Sequence, residues 1–340
     1  MRSRPGKTPH VGTSEFDLGK RSIALDLKAP SGVQSMRRLC ESADVLIEPY
    51  RPGVMERLGL GPEVLLADNP RLVYARLTGW GQSGAYSQTA GHDINYIAIS
   101  GALSMFSRPG ERPLPPVNLL GDFAGGALSC AFGVTLALLE RQQSGRGQVV
   151  DAAMLDSAAY FTTFMHRLRA IGGWSDAPGT NMLDGAAPFY RTYRCKDGSF
   201  VAVGAIEPEF WQQLLEKLVV QGNEPLLQMA QMDQRRWPEM SARLAALFAE
   251  RTRDEWAAHF AGSDACVSPV LSLAEAPSDV HNASRGIFAS DGPGGGAWVE
   301  APPVLSRTPA RRAREATRAC DGESIDVEHV LEAWSKRSRL

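Results

Sequence analysis

Strand-length and helix-length stretches alternate along the first half of the chain, and this alternation constrains the fold more than any other feature. Two runs rich in aliphatic residues, Ser22–Leu27 and Asp44–Glu48, flank a helical stretch around Val33–Ser42. A third strand-like run, Arg71–Leu77, follows a short helical segment at Pro62–Ala67. Farther on, Gln148–Ala152 reads as a strand leading into a helix through Met154–Ile171. Strands separated by helices are joined by crossovers rather than hairpins, which predicts a parallel α/β sheet covered by helices. The most apolar run, about Phe123–Leu139, is rich in Gly and Ala and lies between Asp122 and the polar pair Glu140-Arg141. It is shorter than the ~20 apolar residues a membrane span needs, so it is expected to be a buried core helix rather than a span. Ser144-Gly145 supplies its stop.

The second half has a different texture. Gly172–Pro188 is rich in Gly, Pro, Asn and Asp and marks a linker. Beyond it, Tyr190–Tyr193 and Ser199–Ala205 read as a hairpin around Lys196-Asp197-Gly198, followed by amphipathic helices near Pro208–Val220, Pro238–Arg251 and Arg253–Ala261. Thr252 and Glu255 form a capping-box pattern that fixes the start of the last helix. The expected organisation is a large α/β domain over residues 1–187, a smaller α+β domain over 188–277, and a segment over 278–340 that returns to the large domain. That return segment contains the Gly-rich stretch Gly292–Gly296, Arg-rich sequence near Arg307–Arg318 and an amphipathic helix at Val327–Trp334.

The 340 residues carry 36 Lys+Arg against 38 Asp+Glu, a formal net charge of -2. Nucleic acid or an anionic membrane as principal partner would require a clear basic excess, so neither is expected. Cys40, Cys130, Cys195, Cys266 and Cys320 lie far apart with no CxxC pair, which argues against a disulfide framework or structural zinc and for a reducing, intracellular setting. The N-terminus has positive charge but no apolar core of a secretory signal. The chain ends Ser338-Arg339-Leu340, similar to the Ser-Lys-Leu peroxisomal address; without that address the expected place is cytoplasmic or mitochondrial.

Gly79-Trp80-Gly81-Gln82-Ser83-Gly84 fits GxGxxG, yet the sequence after it, Ala85 to Ala90, lacks the apolar period of a phosphate-binding helix. It reads as a turn-rich loop. No HExxH, GxSxG or clustered His/Cys set points to a metal or a serine nucleophile, so no metal is expected. His92, in the polar cluster Gly91–Tyr96 at the start of a helix, and Asp122, heading the apolar helix, remain as titratable candidates. Separately, a helix cap and a satisfied loop histidine would explain them. Together, an imidazole and a carboxyl group on opposite sides of one carbon could remove a proton from one face and return one to the other. Backbone N–H groups at the helix head behind Asp122 could stabilise an enolate oxygen, and Gly125 and Gly126 would allow close approach.

Several ordered segments carry a specific resemblance: GKRSIALDLK, VLIEPYRPGVMERLGLGP, RLVYARLTGWGQSG, GHDINYIAISG, NLLGDFAGGAL, SGRGQVVDAAM, NMLDGAAPFYRTY, VAVGAIEP and DACVSPVL. Over about Gly19–Leu273 the chain resembles the family III coenzyme A transferases, and within them the α-methylacyl-CoA racemases. The resemblance implies a Rossmann-like large domain with a parallel sheet plus a smaller α+β domain, in an interlocked dimer whose active site forms at the subunit interface. It implies inversion of C2 in a 2-methylacyl-CoA by 1,1-proton transfer through an enolate, in branched-chain fatty acid or sterol side-chain degradation. The motif histidine falls on His92, the motif aspartate on Asp122, and a glutamate that supports the histidine on Glu207. Contacts to CoA fall on Leu25, Asp26, Leu27, Lys28, Pro49, Tyr50, Arg51 and Arg57, and at the thioester end on Gly91, Asp93, Ile94, Asn95 and Tyr96. Lys28, Arg51 and Arg57 suit CoA phosphates chemically. No separate cofactor is implied, since CoA is part of the substrate.

Two alternatives follow from the same resemblance. A transferase of this family would use Asp122 as a nucleophile and needs no histidine at position 92. An inactive acyl-CoA-binding homologue is the other, because members begin with a strand–helix–strand unit, whereas this sequence opens at Ser3-Arg4-Pro5-Gly6, just after it. A chain truly lacking that unit is expected to fold poorly and bind CoA weakly; a misassigned start would explain the same difference.

Overall fold

In the computed structural model, residues 20, 23–218, 229–290, 297–310 and 327–337 are described. The Gly292–Gly296 stretch, most of the Arg-rich segment and the C-terminal tripeptide lie outside them. The chain divides into two compact units: residues 1–96, 121–157 and 288–340, and residues 97–120 and 158–287.

The first unit is built on a parallel sheet. Helix α1 (Pro30–Ser42) precedes β1 (Val45–Glu48); the short α2 (Val54–Arg57) and α3 (Pro62–Asp68) lead to β2 (Val73–Thr78); β3 (Val149–Ala153) comes from much farther along the chain. The order is β1-β2-β3, all parallel, with Val45 opposite Val73 and Tyr74 opposite Val149. Proline at the first helical turn of α1 and α3 costs no hydrogen bond and fixes each start. Leu60, Leu65, Leu72 and Tyr74 are buried between α3 and the sheet.

Ile23–Leu27 has the alternation of a strand but pairs with no strand among the described residues. Ile23 and Leu25 instead pack on Leu39, Val327 and Val330, so their apolar side chains are satisfied by helix surfaces without a ladder. The expected strand there is therefore an irregular stretch.

After α4 (Asp93–Ile99), the run Leu119–Leu128 is wound more widely than an α-helix and continues as α5 (Ser129–Ser144), stopped by Gly145 at φ 76°. Together they make 26 residues, Leu119–Ser144, long and apolar enough to cross a membrane by length and composition alone. The expectation of a buried core helix is corrected in its burial, and the apolar run is longer than the stretch Phe123–Leu139 suggested. One face of α5 covers the sheet through Cys130 and Val134, packed with Ala75 and Ala152. The other presents Leu128, Phe132, Leu136 and Leu139, each roughly half exposed or more. Composition reports apolarity but not which face has a partner. At its foot, Arg141 binds the Asp44 carboxylate at 2.8 Å and the Arg71 carbonyl at 2.9 Å, tying the helix to the sheet.

The predicted helix Met154–Ile171 is two helices, α6 (Met154–Phe161) and α7 (Thr163–Ala170). They part at Thr162, whose hydroxyl donates to the Ala159 carbonyl at 2.7 Å. In the second unit, β4 (Tyr190–Arg194) and β5 (Phe200–Gly204) form the expected hairpin, with β6 (Val267–Pro269) antiparallel to β5. Helices α8 (Pro208–Leu218), α9 (Trp237–Phe248) and α10 (Arg253–Phe260) cover it. Phe189, Leu214, Met240, Leu244 and Phe248 form the centre of this core. Both halves of the Thr252–Glu255 capping box are present.

Candidate active site

The site begins with a charged network under the Pro49–Arg57 turn. Arg76 sits in the apolar strand β2, 6% exposed, and donates to Glu48 at 2.8 Å and to Glu56 at 2.7 Å. Burial alone would lower the Arg76 pKa, but the Glu56 and Glu48 carboxylates outweigh it and hold the guanidinium above its ordinary value. The same guanidinium draws the Glu56 carboxyl below the usual range. The second oxygen of Glu48 accepts from the Tyr50 N–H at 2.7 Å. A buried ion pair thus sets where Tyr50 and Arg51 leave the sheet. Both residues are exposed, as are Pro49 and Arg57.

Lys28 and Arg57 line one cleft of about 830 Å³ together with Leu27. Asp26 orders the approach to it, accepting from the Lys28 N–H at 3.0 Å. Leu25 faces inward, onto the Leu39 cluster. The cleft also takes Arg37 and Arg38 from α1, which sequence reasoning missed. Their adjacent pair of positive charges on a helix was the available signal. Arg37 is bound to both oxygens of Asp68, and Arg38 to Glu328.

Gly79–Gly84 is a loop, as expected, with Gly81 and Gly84 at φ 82° and 92°. It leads to the GHDINY segment, which is packed tightly from below. The Tyr96 ring lies edge-on to Trp80, centroids 4.8 Å apart, and a β-carbon on Gly79 would overlap it. Burial raises the Tyr96 phenol pKa, and the Asp122 carboxylate adds to the rise while Arg51 opposes it. Tyr96 therefore feels both the helix-head aspartate and the arginine of the Pro49–Arg57 turn.

His92 is exposed; its N–H donates to Asn95 Oδ1 at 3.1 Å, and its carbonyl accepts from the Asn95 and Tyr96 N–H groups. The next residue turns inward. Asp93, 5% exposed, accepts with one oxygen from the Gly121 N–H at 2.6 Å and the Asp122 N–H at 2.8 Å. The residue beside the candidate imidazole is thereby bonded to the backbone of the candidate carboxyl group. A β-carbon on Gly121 would stand 2.6 Å from that same oxygen, so glycine is required for the contact. Ile94 is exposed, and Gly91 borders Trp80 and Tyr96.

The structure brings His92, Asp93, Tyr96 and Asp122 into one neighbourhood. Glu207 belongs to the other unit. It is exposed at the start of α8, where its carbonyl accepts from Phe210 and Trp211, and its charge helps raise the Cys266 thiol pKa after the larger effect of burial.

Residues 3–319 match the family described as CoA-transferase family III. The α-methylacyl-CoA racemase of Mus musculus is 53% identical over 98% of this chain and 89% of its own length. The human protein of the same name is 52% identical over 84% and 73%. Among solved structures, a CAIB/BAIF family protein from Brucella suis superposes with a TM-score of 0.72 at 25% identity, covering 94% of this chain and 82% of that one. Rv3272 from Mycobacterium tuberculosis gives a TM-score of 0.70 at 27% identity, covering 86% and 79%.

Proposed function

This chain belongs to the CoA-transferase family III, and we propose that it is a racemase interconverting the (2R) and (2S) forms of 2-methylacyl-CoA thioesters. The observation that carries the reading is the Asp93 tie between the His92 loop and the head of the Asp122 helix. In the proposed reaction one of the pair takes the C2 proton from one face, leaving an enolate, and the other, in its acid form, returns a proton to the opposite face. The proton removed and the proton delivered balance, so no redox partner or separate cofactor enters. A thioester α-proton is far less acidic than either conjugate acid, so stabilising the enolate oxygen must supply much of the rate. The Gly121 and Asp122 N–H groups at the head of the Leu119–Leu128 run, expected from the sequence to serve that task, are already engaged by the Asp93 carboxylate.

The cleft holding Lys28 and Arg57 would take CoA phosphates, with Leu25, Asp26 and Leu27 shaping its approach and Pro49, Tyr50 and Arg51 carried on the turn above the Arg76 network. Gly91, Ile94 and Asn95 would surround the thioester, with the Asp93 and Tyr96 side chains buried beneath them. We assign Glu207 to support His92 across a homodimer interface; the half-exposed apolar ladder Leu128, Phe132, Leu136, Leu139 offers surface for such an association. Sedimentation of the full chain tests this: a dimer supports it, and a monomer or partition into detergent refutes it. The Ser338-Arg339-Leu340 end supports a peroxisomal place of action, tested by a fluorescent fusion with and without the tripeptide.

A transferase reading draws on a relative named probable fatty acyl-CoA transferase, 33% identical over 70% of this chain. The two readings separate at His92. Chiral chromatography of a single 2-methylacyl-CoA epimer should show conversion to both epimers, abolished by Asp122→Asn and by His92→Gln. Inversion persisting in either variant refutes the two-base assignment; CoA transfer that survives His92→Gln establishes the transferase.

A further inference from the structure

The second unit carries a cleft of about 850 Å³ that the proposed reaction does not use. Arg108, Arg191 and Arg194 line it, with Tyr193, Phe200 and Trp237. Arg169, Arg235, Arg243 and Arg253 of this unit face carboxylates, on Asp176, Asp233, Glu239 and Glu275, whereas Arg112, Arg167, Arg251 and Arg285 have no ion pair among the described residues. Arg108, Arg191 and Arg194 have no such ion pair among the described residues. The one carboxylate in the lining, Asp184, is occupied within its own loop, accepting from the N–H groups of Gly179, Asn181 and Ala186 and from the Asn181 side chain.

The cations are mounted on ordered structure. Arg191 and Arg194 lie on β4, and the Arg191 guanidinium stands 5.5 Å over the Tyr193 ring. The Arg108-Pro109 loop rests against Gly179, where a β-carbon would meet Pro109 Cδ at 2.6 Å, so the loop can approach only a glycine. The floor is fixed as well: Tyr193 stacks on Phe248 and Trp237 meets Phe189 edge-on. Phe200, 43% exposed, stands opposite Arg194 in the hairpin register.

Arg194 and Phe200 are cross-strand neighbours on one face of the hairpin, with Arg191 on the other face of β4 and Arg108 on the facing loop. The lining thus offers guanidinium donors for phosphate oxygens beside an exposed aromatic side chain. We propose that this cleft is a binding site for a phosphate ester carried on an aromatic ring system, separate from the Lys28–Arg57 cleft.

Isothermal titration of the full chain with adenosine monophosphate, inorganic phosphate and adenosine tests it without turnover, so its failure leaves the racemase proposal untouched. The nucleotide is expected to bind at least about tenfold more tightly than either half alone, since charge-assisted bonds and stacking act together. Arg191→Gln with Arg194→Gln, and independently Arg108→Gln, should each weaken it by about tenfold or more. Phe200→Ala should weaken the nucleotide but not inorganic phosphate. Epimer interconversion should keep its kcat and KM in these variants, and melting temperatures establish that they fold. Nucleotide binding that is absent, indifferent to the arginine variants, or lost on replacing Lys28 and Arg57 alone overturns the proposal.

Discussion

Replacing Asp93 by alanine probes the tie between the two candidate bases. The carboxylate is 5% exposed, and one oxygen holds the N–H groups of Gly121 and Asp122 at 2.6 and 2.8 Å. A hydrogen bond to a charged group contributes about 1.5–3 kcal/mol; because these two share one oxygen, a loss of about 2–4 kcal/mol is expected. Set against a total stability of about 5–15 kcal/mol, that lowers the urea midpoint without unfolding the protein in buffer. Asp93→Asn keeps an acceptor oxygen but not the charge, so it should lose a smaller part. The Asp122 backbone would also drift, and a misplacement of ~1 Å can cost about 100-fold in rate. Epimer interconversion by Asp93→Ala should therefore fall far more than saturation changes. An unchanged urea midpoint would show that the bonds do not hold the helix head; a lowered midpoint with wild-type inversion would show that they hold it but do not position Asp122.

Arg76→Met leaves the Glu48 carboxylate, 2% exposed, without its cation, and should cost about 3–5 kcal/mol in thermal or urea unfolding; a cost under about 1 kcal/mol would contradict the network's role. Gly79→Ala drives a β-carbon into the Tyr96 ring and should lower the melting temperature and inversion together; wild-type values for both would refute the packing. Thr252→Ala removes the cap of α10 at a cost of about 1 kcal/mol, read from the urea midpoint, with no effect on inversion. The Arg253 fork and Ser272 hold the Glu275 carboxyl down at about 2. A depressed carboxyl stabilises the fold above its unfolded value of about 4.3 and loses that contribution as pH falls toward its folded one. Between those limits the wild type should lose stability more steeply than Glu275→Gln; parallel pH profiles would contradict this.

The crossovers of the first unit and the hairpin of the second were legible because each rests on local periodicity and turn residues. Ser22–Leu27 misled because alternation shows that side chains seek burial, not what buries them; here Ile23 and Leu25 find helices. The apolar helix misled for a related reason, since exposed Leu128 and Phe132 look no different in sequence from buried Cys130. His92 and Asp122 stood out as polar residues at helix starts, but the Asp93 bond between their segments spans residues too distant for any local pattern to show. Arg76 did leave a signal, a charge inside an apolar strand, whose two glutamate partners only the fold reveals.

The central claim is inversion through an enolate, and the most direct measurement starts with one epimer of a 2-methylacyl-CoA in deuterated water. Washout of the C2 proton together with loss of chirality is expected, and Asp122→Asn should abolish the loss of chirality, leaving exchange with retention only for the epimer whose proton faces His92. Retention of the proton, with CoA passing to an added carboxylate, would contradict it.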